Sequence, residues 1–240
     1  MTGTSTTNVG GMDTETADQA ATAERLRHAL ADRLRGQGTV RTGHVDAALR
    51  AVPRHLFLPT VPLPDAYADE AVFTKRDGAD TPVSAASQPT IVAMMLEQLQ
   101  VEPGQRVLEI GAGTGYNAAL LAHLAGDNGE VTTIDVDKDL TDSARSALAA
   151  AGCPNVRVIL GDGALGYPDR APYDRVIATV GAWDLPPAWL RPAQPGRAAR
   201  GARPAAGKHL PLDRLRTLGR ALARPLKRAV HVHAAARDRG

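Results

Sequence analysis

Three glycines at alternate positions form the part of the chain best suited to chemistry. Gly111, Gly113 and Gly115 lie between the hydrophobic run 106–110 and the helical run 117–125. Glycine reaches backbone angles that are closed to residues with a Cβ, and its lack of a side chain lets a ligand lie directly on the main chain. The first free N–H groups of the following helix point at the same place. A nucleotide-type ligand is therefore expected at this turn.

The spacing of the glycines separates two classes of nucleotide site. The dinucleotide fingerprint needs glycine at its first, third and sixth positions, and the sixth position counted from Gly111 is Tyr116. The pattern therefore argues against NAD. Glu109, an acid on the strand itself, followed by alternate glycines, resembles the first motif of the class I S-adenosylmethionine-dependent methyltransferases. The alternative is a tight strand-to-helix turn that binds no ligand.

Acidic residues follow the next two predicted strands. Asp135 ends the β-rich run 130–135, and an acid at the end of the second strand of a nucleotide-binding α/β domain reaches the ribose hydroxyls. Asp137 is the second choice for that contact. Asp162 lies between two glycines after the apolar run 156–160. An aspartate in such a turn usually stabilises the turn only, so its function depends on further information.

Ser87 precedes Gln88 and Pro89 at the start of a helix predicted over 90–99. Proline favours the first helical turn, so the structural interpretation of Ser87 is an N-cap. The functional interpretation is that its hydroxyl holds an anionic carboxylate, because the free N–H groups and the dipole at a helix N-terminus favour negative charge.

Several segments in the right order resemble the protein-L-isoaspartate O-methyltransferase family across about residues 45–190. Besides the glycine turn, they are an Arg-His-x-Phe segment at 54–57, an Ala-Tyr segment within 65–69 and the Ser-Gln-Pro segment at 87–89. Residues 74–77 and 181–186 also resemble the branch of this family that is associated with ribosomally made peptides in actinobacteria.

The resemblance implies a class I methyltransferase (Rossmann-like) α/β fold, a parallel sheet with helices on both faces. It implies S-adenosyl-L-methionine as the cofactor and methyl transfer to the carboxylate of an isoaspartyl or aspartyl residue in a protein or peptide. Such a carboxylate has a pKa of about 4 and is already ionised at neutral pH, so no general base is needed. Ser87 would orient this acceptor as the catalytic residue, and Asp162 would contact the adenine amino group. The complete set of expected cofactor-binding residues is Glu109, Gly111, Gly113, Thr114, Gly115, Asp135, Asp162 and Gly163.

Composition limits the class of protein. A chain of 240 residues that is 43% hydrophobic can bury one sizeable core. It has neither an apolar run of membrane length nor a signal pattern, so a cytoplasmic location is expected. Its single cysteine, Cys153, excludes an internal disulfide and a cysteine metal cluster, and the seven histidines show no ligand spacing. No metal site is expected.

The chain divides into three parts by composition. Residues 1 to about 20 carry almost no large apolar group and are expected to be disordered. Residues 21–190 are expected to form the methyltransferase domain, in which 21–60 make a helical cap. Residues 191–240 hold 13 Lys and Arg against 2 Asp and Glu, whereas the preceding residues hold 15 against 24. The last part therefore differs from the rest in both charge and composition.

The basic tail leaves two interpretations open. The family continues with a fifth strand and an antiparallel pair, and 191–240 carry no such pattern, so the C-terminal strands are expected to be missing, as a shifted reading frame would cause. The other interpretation is a genuine basic tail that binds nucleic acid or an acidic partner, on a relative that is non-catalytic. Nucleic acid is the less favoured partner because aromatic residues are not interleaved with the charges.

Overall fold

The computed structural model describes residues 10–181 and 186–190. The predictions for 191–240 lie outside the described residues, as do 182–185. Within the described part, no helix is both long and apolar enough to cross a membrane. The helices are α1 (Gly10–Gly36), α2 (Gly43–Ala51), α3 (Leu63–Ala66), α4 (Pro89–Leu99), α5 (Tyr116–Ala125), α6 (Lys138–Ala150) and α7 (Pro187–Leu190). The strands are β1 (Val72–Arg76), β2 (Pro82–Ala86), β3 (Arg106–Ile110), β4 (Glu130–Asp135), β5 (Val156–Leu160) and β6 (Arg175–Ala178).

Four parallel strands form the central sheet in the order β5-β4-β3-β6. The predicted bounds of β3, β4 and β5 are confirmed. Of these four strands, β3 comes first in the chain and lies between β4 and β6, so the strand order reverses there. Ligands of open parallel sheets bind outside the carboxyl ends of the strands at such a reversal. The glycine turn leaves β3 at this point.

The two faces of the sheet are covered differently. The main core covers one face, where α5 is buried on nearly every side because it lies between the strands and α2. The described cover of the other face consists of short helical turns and α7. Contacts on that face join Leu108, Ile110 and Ile134 to Tyr167, Tyr173 and Trp189. The α/β fold class predicted from the sequence is confirmed, with the long described helices on one face.

Helices α1 and α2 pack on the core. Leu30 and Leu34 of α1 are buried, but the helix begins at Gly10, inside the segment expected to be disordered. Residues 17–20 are exposed, so burial does not hold this part of the helix. Alanine and glutamate favour the helix, and extending an existing helix costs much less than nucleating one. The helix therefore continues beyond the part that packs.

Buried Glu97 joins the loop before α2 to helix α4. Its Oε1 accepts hydrogen bonds from the N–H groups of Arg41 and Thr42, both at 2.9 Å, and from the Thr42 hydroxyl at 3.0 Å. Burial alone would raise the pKa of Glu97, but these hydrogen bonds hold the pKa below its ordinary value. The N-terminal helices are thereby fixed to the helix that follows Ser87.

Candidate active site

Gly111 begins the turn at the end of β3 and is explained by packing. Its φ is +99°, and a Cβ there would lie 2.4 Å from Val180 Cγ1 and 2.8 Å from Thr179 Oγ1. The Thr179 hydroxyl also approaches the carbonyl oxygens of Ile110 and Gly111, at 3.1 and 2.7 Å. The residues after β6 therefore leave no space for a side chain at position 111.

Gly113, at the middle of the turn, faces open space. Its φ is +51°, and a Cβ there would have no neighbour within 4 Å among the described residues. Its N–H donates to Asp135 Oδ2 at 3.0 Å. By contrast, Gly115 is the N-cap of α5 and packs against Ala144 and Leu148, each 3.3 Å from a built Cβ. Packing thus accounts for two of the three glycines and leaves the space over Gly113 for a ligand.

Thr114 lies between these glycines, and its hydroxyl accepts a long hydrogen bond of 3.4 Å from the N–H of Tyr116. This contact uses one of the free donors at the start of α5, so it supports the turn itself. The hydroxyl keeps its own proton for donation to a ligand.

Asp135 lies at the end of β4, beside the glycine turn. Its Oδ2 accepts the Gly113 N–H, and its Oδ1 accepts the N–H of Asp137 at 3.1 Å. The side chain is half-buried, and each carboxylate oxygen retains a lone pair. The alternative residue, Asp137, instead caps α6 through the N–H groups of Asp139 and Leu140. The geometry therefore favours Asp135 as the acid that faces a bound nucleotide.

Glu109 is buried next to the turn and is only partly satisfied. Its Oε1 accepts a hydrogen bond of 2.7 Å from the Asn117 side-chain amide, while its Oε2 has no hydrogen-bond partner among the described residues. The buried Asn117 Oδ1 is likewise without a partner there. Burial raises the pKa of Glu109 to about 7. A buried acceptor that lacks a donor is costly, so this cluster fits a ligand that brings a cationic amino group.

Asp162 and Gly163 follow β5 at the same edge of the sheet. Asp162 Oδ1 accepts the N–H of Ala164 at 2.9 Å, which is the turn interaction expected for an aspartate here. The side chain is exposed, and its other oxygen makes no hydrogen bond to a described residue. A Cβ on Gly163 would lie 2.4 Å from Ile110 Cγ2, so this glycine is required by its contact with β3.

Two exposed apolar residues at this edge were missed by the sequence analysis. Val136 directly follows Asp135 and is 71% exposed, and Leu165 lies three residues after Asp162 and is 72% exposed. A single exposed apolar side chain is ordinary, but ligand sites combine apolar surface with a few polar groups, and these two residues lie close in sequence to Asp135 and Asp162. The available signal was an apolar residue shortly after a strand end, where a polar residue is usual. Both side chains present apolar surface at the carboxyl edge of the sheet.

The N-cap interpretation of Ser87 is wrong. Gln88 occupies the N-cap position of α4, so Ser87 lies one residue too early to cap the helix. Asp69 performs this function: it accepts the Thr90 N–H at 2.8 Å and the Thr90 hydroxyl at 2.6 Å. The Ser87 hydroxyl is half-buried and makes no hydrogen bond to a described residue. It remains available for a substrate.

Arg54 connects the Ser87 segment to the start of α5, a role that no local sequence pattern shows. Its side chain is 1% exposed and donates to the carbonyl oxygens of Ala66 at 2.9 Å and Ser87 at 3.0 Å. Its guanidinium lies 4.9 Å from the centre of the Tyr116 ring. Burial lowers the pKa of Arg54. One buried cation thus contacts both the serine segment and the helix that leaves the glycine turn.

The comparison with protein families decides how this arrangement is classified. The family model described as protein-L-isoaspartate(D-aspartate) O-methyltransferase matches residues 24–198, which is most of the chain. The chain belongs to this family. The resemblance expected from the segments around residues 54–57, 87–89 and the glycine turn is thereby confirmed.

Relatives within the protein-L-isoaspartate O-methyltransferase family are similar over most of the chain. The protein-L-isoaspartate O-methyltransferase of Methanopyrus kandleri is 40% identical over 173 residues, covering 72% of this chain and 74% of that relative. Protein-L-isoaspartate O-methyltransferase 1 of Rhodopseudomonas palustris is 46% identical over 167 residues, covering 70% and 63%. Parts of the relatives thus have no counterpart in the matched region.

Solved structures agree with the fold. A protein-L-isoaspartate O-methyltransferase that is 34% identical superposes with a TM-score of 0.63 over 68% of this chain, and the match spans 51% of that chain. A Plasmodium falciparum beta-aspartate methyltransferase in complex with S-adenosyl-L-homocysteine is 18% identical, with a TM-score of 0.59 and coverage of 68% and 78%. The second likeness supports the fold alone.

Proposed function

We propose that this chain is an S-adenosylmethionine-dependent carboxyl methyltransferase that acts on L-isoaspartyl, or aspartyl, residues of proteins or peptides. The observation that carries the proposal is the turn over Gly113. The turn is open to a ligand, is tied to Asp135 through its N–H, and lies beside the unpartnered buried oxygen of Glu109. This combination fits a nucleoside that also carries an amino group. Family membership independently supports the same function.

The residues present fit the cofactor in three ways. The open turn accommodates a ligand on the main chain, Glu109 offers an acceptor for an ammonium group, and Asp135 offers lone pairs to hydroxyl groups. Val136 and Leu165 supply apolar surface. The residues that would hold the group are Glu109, Gly111, Gly113, Thr114, Gly115, Asp135, Asp162 and Gly163. Bound S-adenosylmethionine supplies an electrophilic methyl group.

The chain's own contribution to the reaction is alignment. The acceptor carboxylate, with a pKa of about 4, is ionised at neutral pH, so no protein group needs to remove a proton. The Ser87 hydroxyl would donate a hydrogen bond to this carboxylate and fix its direction. Arg54 holds the Ser87 carbonyl, and so fixes the backbone that presents the hydroxyl. Alignment of two bound reactants can lower a barrier by about 7–11 kcal/mol, so it suffices without acid–base catalysis.

The proposed domain bounds, acceptor and location are those predicted from the sequence. We take residues 21–190 as the catalytic domain and 191–240 as a tail of basic composition. The acceptor belongs either to damaged proteins or to a dedicated peptide, as in the actinobacterial branch, and the enzyme acts in the cytoplasm. The basic composition after residue 191 also favours a second candidate, a non-catalytic relative that keeps the cofactor fold.

Two measurements on the full chain test the proposal. Calorimetry with S-adenosylhomocysteine is expected to give saturable binding that Asp135→Asn weakens by at least tenfold, whereas Asp127→Asn, at an exposed turn, leaves it unchanged. Transfer of labelled methyl from S-adenosylmethionine is expected with an isoaspartyl peptide in preference to its aspartyl counterpart. No binding at millimolar ligand would contradict the cofactor assignment, and binding without transfer to either peptide would favour the non-catalytic relative.

A further inference from the structure

The antiparallel hairpin β1–β2 leads directly into Ser87. Val72 pairs with Ala86 and Lys75 pairs with Ser84, so the second strand ends one residue before the serine. The hairpin is a separate two-stranded sheet that is not hydrogen-bonded to the central sheet. An isolated two-stranded hairpin is at best marginally stable in water. Its position therefore depends on contacts with the rest of the molecule.

Lys75 makes such a contact, across 62 residues of sequence. Its Nζ donates to both oxygens of Asp137, at 2.9 and 2.7 Å, and to Asp139 Oδ2 at 2.9 Å. An ammonium group has three protons to donate, and Lys75 uses all three on the two carboxylates. The Asp137 hydrogen bonds raise the pKa of Lys75, so the ammonium stays charged at neutral pH.

Asp137 carries this contact to the nucleotide-facing acid. Its own N–H donates to Asp135 Oδ1 at 3.1 Å, and Asp135 Oδ2 accepts the N–H of Gly113. Asp137 also caps α6. A continuous series of hydrogen bonds therefore runs from the hairpin, through Lys75, Asp137 and Asp135, to the glycine turn.

The ordinary explanation of such a contact is a surface ion pair. The side chains of Lys75 and Asp137 are 30% and 29% exposed, and pairs of this kind contribute little to the free energy of unfolding. A contribution to stability therefore does not account for an ammonium group shared between two acids. The place of Lys75 in the fold does account for it, because this residue lies between the segment that leads to Ser87 and the strand that ends at Asp135.

We propose that Lys75 is a positioning residue that fixes the acceptor side of the active site to the cofactor side. It holds the hairpin, and with it the strand that ends at Ser87, against the loop after Asp135. Its ammonium group also offsets the negative charges of Asp137 and Asp139. The inference rests on the proposed function in that Ser87 contacts the acceptor.

Kinetics with three variants of the full chain test the inference. Lys75→Met removes the charge and keeps a long side chain, and Lys75→Arg keeps the charge. The control, Lys138→Met, removes a surface lysine that lies in α6 and pairs with Asp142. The kcat/KM of an isoaspartyl hexapeptide is expected to fall about tenfold in Lys75→Met, because a displacement of about 1 Å in a positioning group can cost up to about a hundredfold. Lys75→Arg should restore most of the loss, and Lys138→Met should match the wild type. The Kd of S-adenosylhomocysteine should change less than about twofold in all three.

Hydrogen exchange of the amides in 72–86 provides a readout that needs no turnover. Exchange in the hairpin is expected to be faster in Lys75→Met than in the wild type and unchanged in Lys138→Met. The inference would be overturned if Lys75→Met kept the kcat/KM and the hairpin exchange of the wild type. It would also be overturned if Lys75→Met and Lys138→Met had equal effects. If the wild type does not methylate the peptide, the proposed function fails, and the exchange experiment still decides whether Lys75 fixes the hairpin.

Discussion

Glu109→Gln is expected to stabilise the protein at neutral and alkaline pH while weakening its cofactor site. Burial raises the pKa of Glu109 from 4.5 to about 7 in the folded state. The folded state therefore binds this proton more tightly than the unfolded state, so the stability is fully present below pH 4.5 and is lost as pH rises through about 7. At about 1.4 kcal/mol per pH unit, the free energy of unfolding falls by about 3 kcal/mol over this range. A glutamine cannot ionise, and its carbonyl can still accept from Asn117.

Urea unfolding at pH 5, 6, 7 and 8 measures this effect as the difference between Glu109→Gln and the wild type. The difference is expected to be small at pH 5 and to approach about 3 kcal/mol in favour of the variant at pH 8. S-adenosylhomocysteine should bind more tightly to the wild type as pH rises from 6 to 8, since the ionised carboxylate attracts its ammonium group. A difference in unfolding free energy that does not change with pH, or a wild type that is the more stable at pH 8, would refute this account of Glu109.

Glu97→Gln is the matched control, because it changes a second buried glutamate whose pKa shifts in the opposite direction. The hydrogen bonds from Arg41 and Thr42 hold the pKa of Glu97 below its ordinary value despite burial. The stability that ionised Glu97 contributes is fully present above the pKa of this residue in the unfolded state. It is lost as pH falls through the pKa of the folded state. Glu97→Gln should therefore be less stable than the wild type at pH 7, and the difference should shrink as pH falls. The same pH trend in both variants would show that the titrations have been assigned to the wrong groups.

Three further experiments test separate parts of the site. Gly113→Ala should lower the free energy of unfolding by about 1–3 kcal/mol through its positive φ and should reduce the affinity for S-adenosylhomocysteine. Gly111→Ala should make the chain unfold more readily, because the added methyl group meets Val180. Urea unfolding compares the stability of the two variants, and calorimetry compares their affinity. Asp69→Ala should lower the unfolding free energy by about 0.5–2 kcal/mol through loss of the α4 cap, and Asp65→Ala, nearby and exposed, should not. Ser87→Ala should reduce kcat/KM for an isoaspartyl peptide about tenfold with unchanged thermal stability and cofactor affinity; a change in melting temperature would indicate a structural role instead.

The sequence is sufficient for the features that depend on neighbouring residues. The strands β3, β4 and β5 are short apolar runs bounded by turns, so their ends can be located from the chain alone. The acid at Asp135 follows from its position at a strand end. The interpretation of Ser87 as an N-cap used the same local rules and is wrong because Asp69, eighteen residues earlier, supplies the cap.

Contacts between distant segments account for the rest. Arg54 reaches the Ser87 carbonyl across 33 residues, and Lys75 reaches Asp137 across 62 residues. No local sequence pattern predicts either contact, because the partners come together only in the folded chain. The early start of α1 has a different cause: helix extension depends on propensity and not on the burial from which disorder was predicted.

The contact between Gly111 and the residues after β6 has a consequence for the order in which the chain becomes functional. Thr179 bonds the carbonyls of Ile110 and Gly111, and Val180 packs where a side chain at Gly111 would lie. During synthesis, a nascent chain that ends before residue 179 already contains every glycine of the turn and Asp135. It still lacks the groups that brace the first residue of the turn. The turn therefore reaches its braced form only once residues 179 and 180 have been added to the chain.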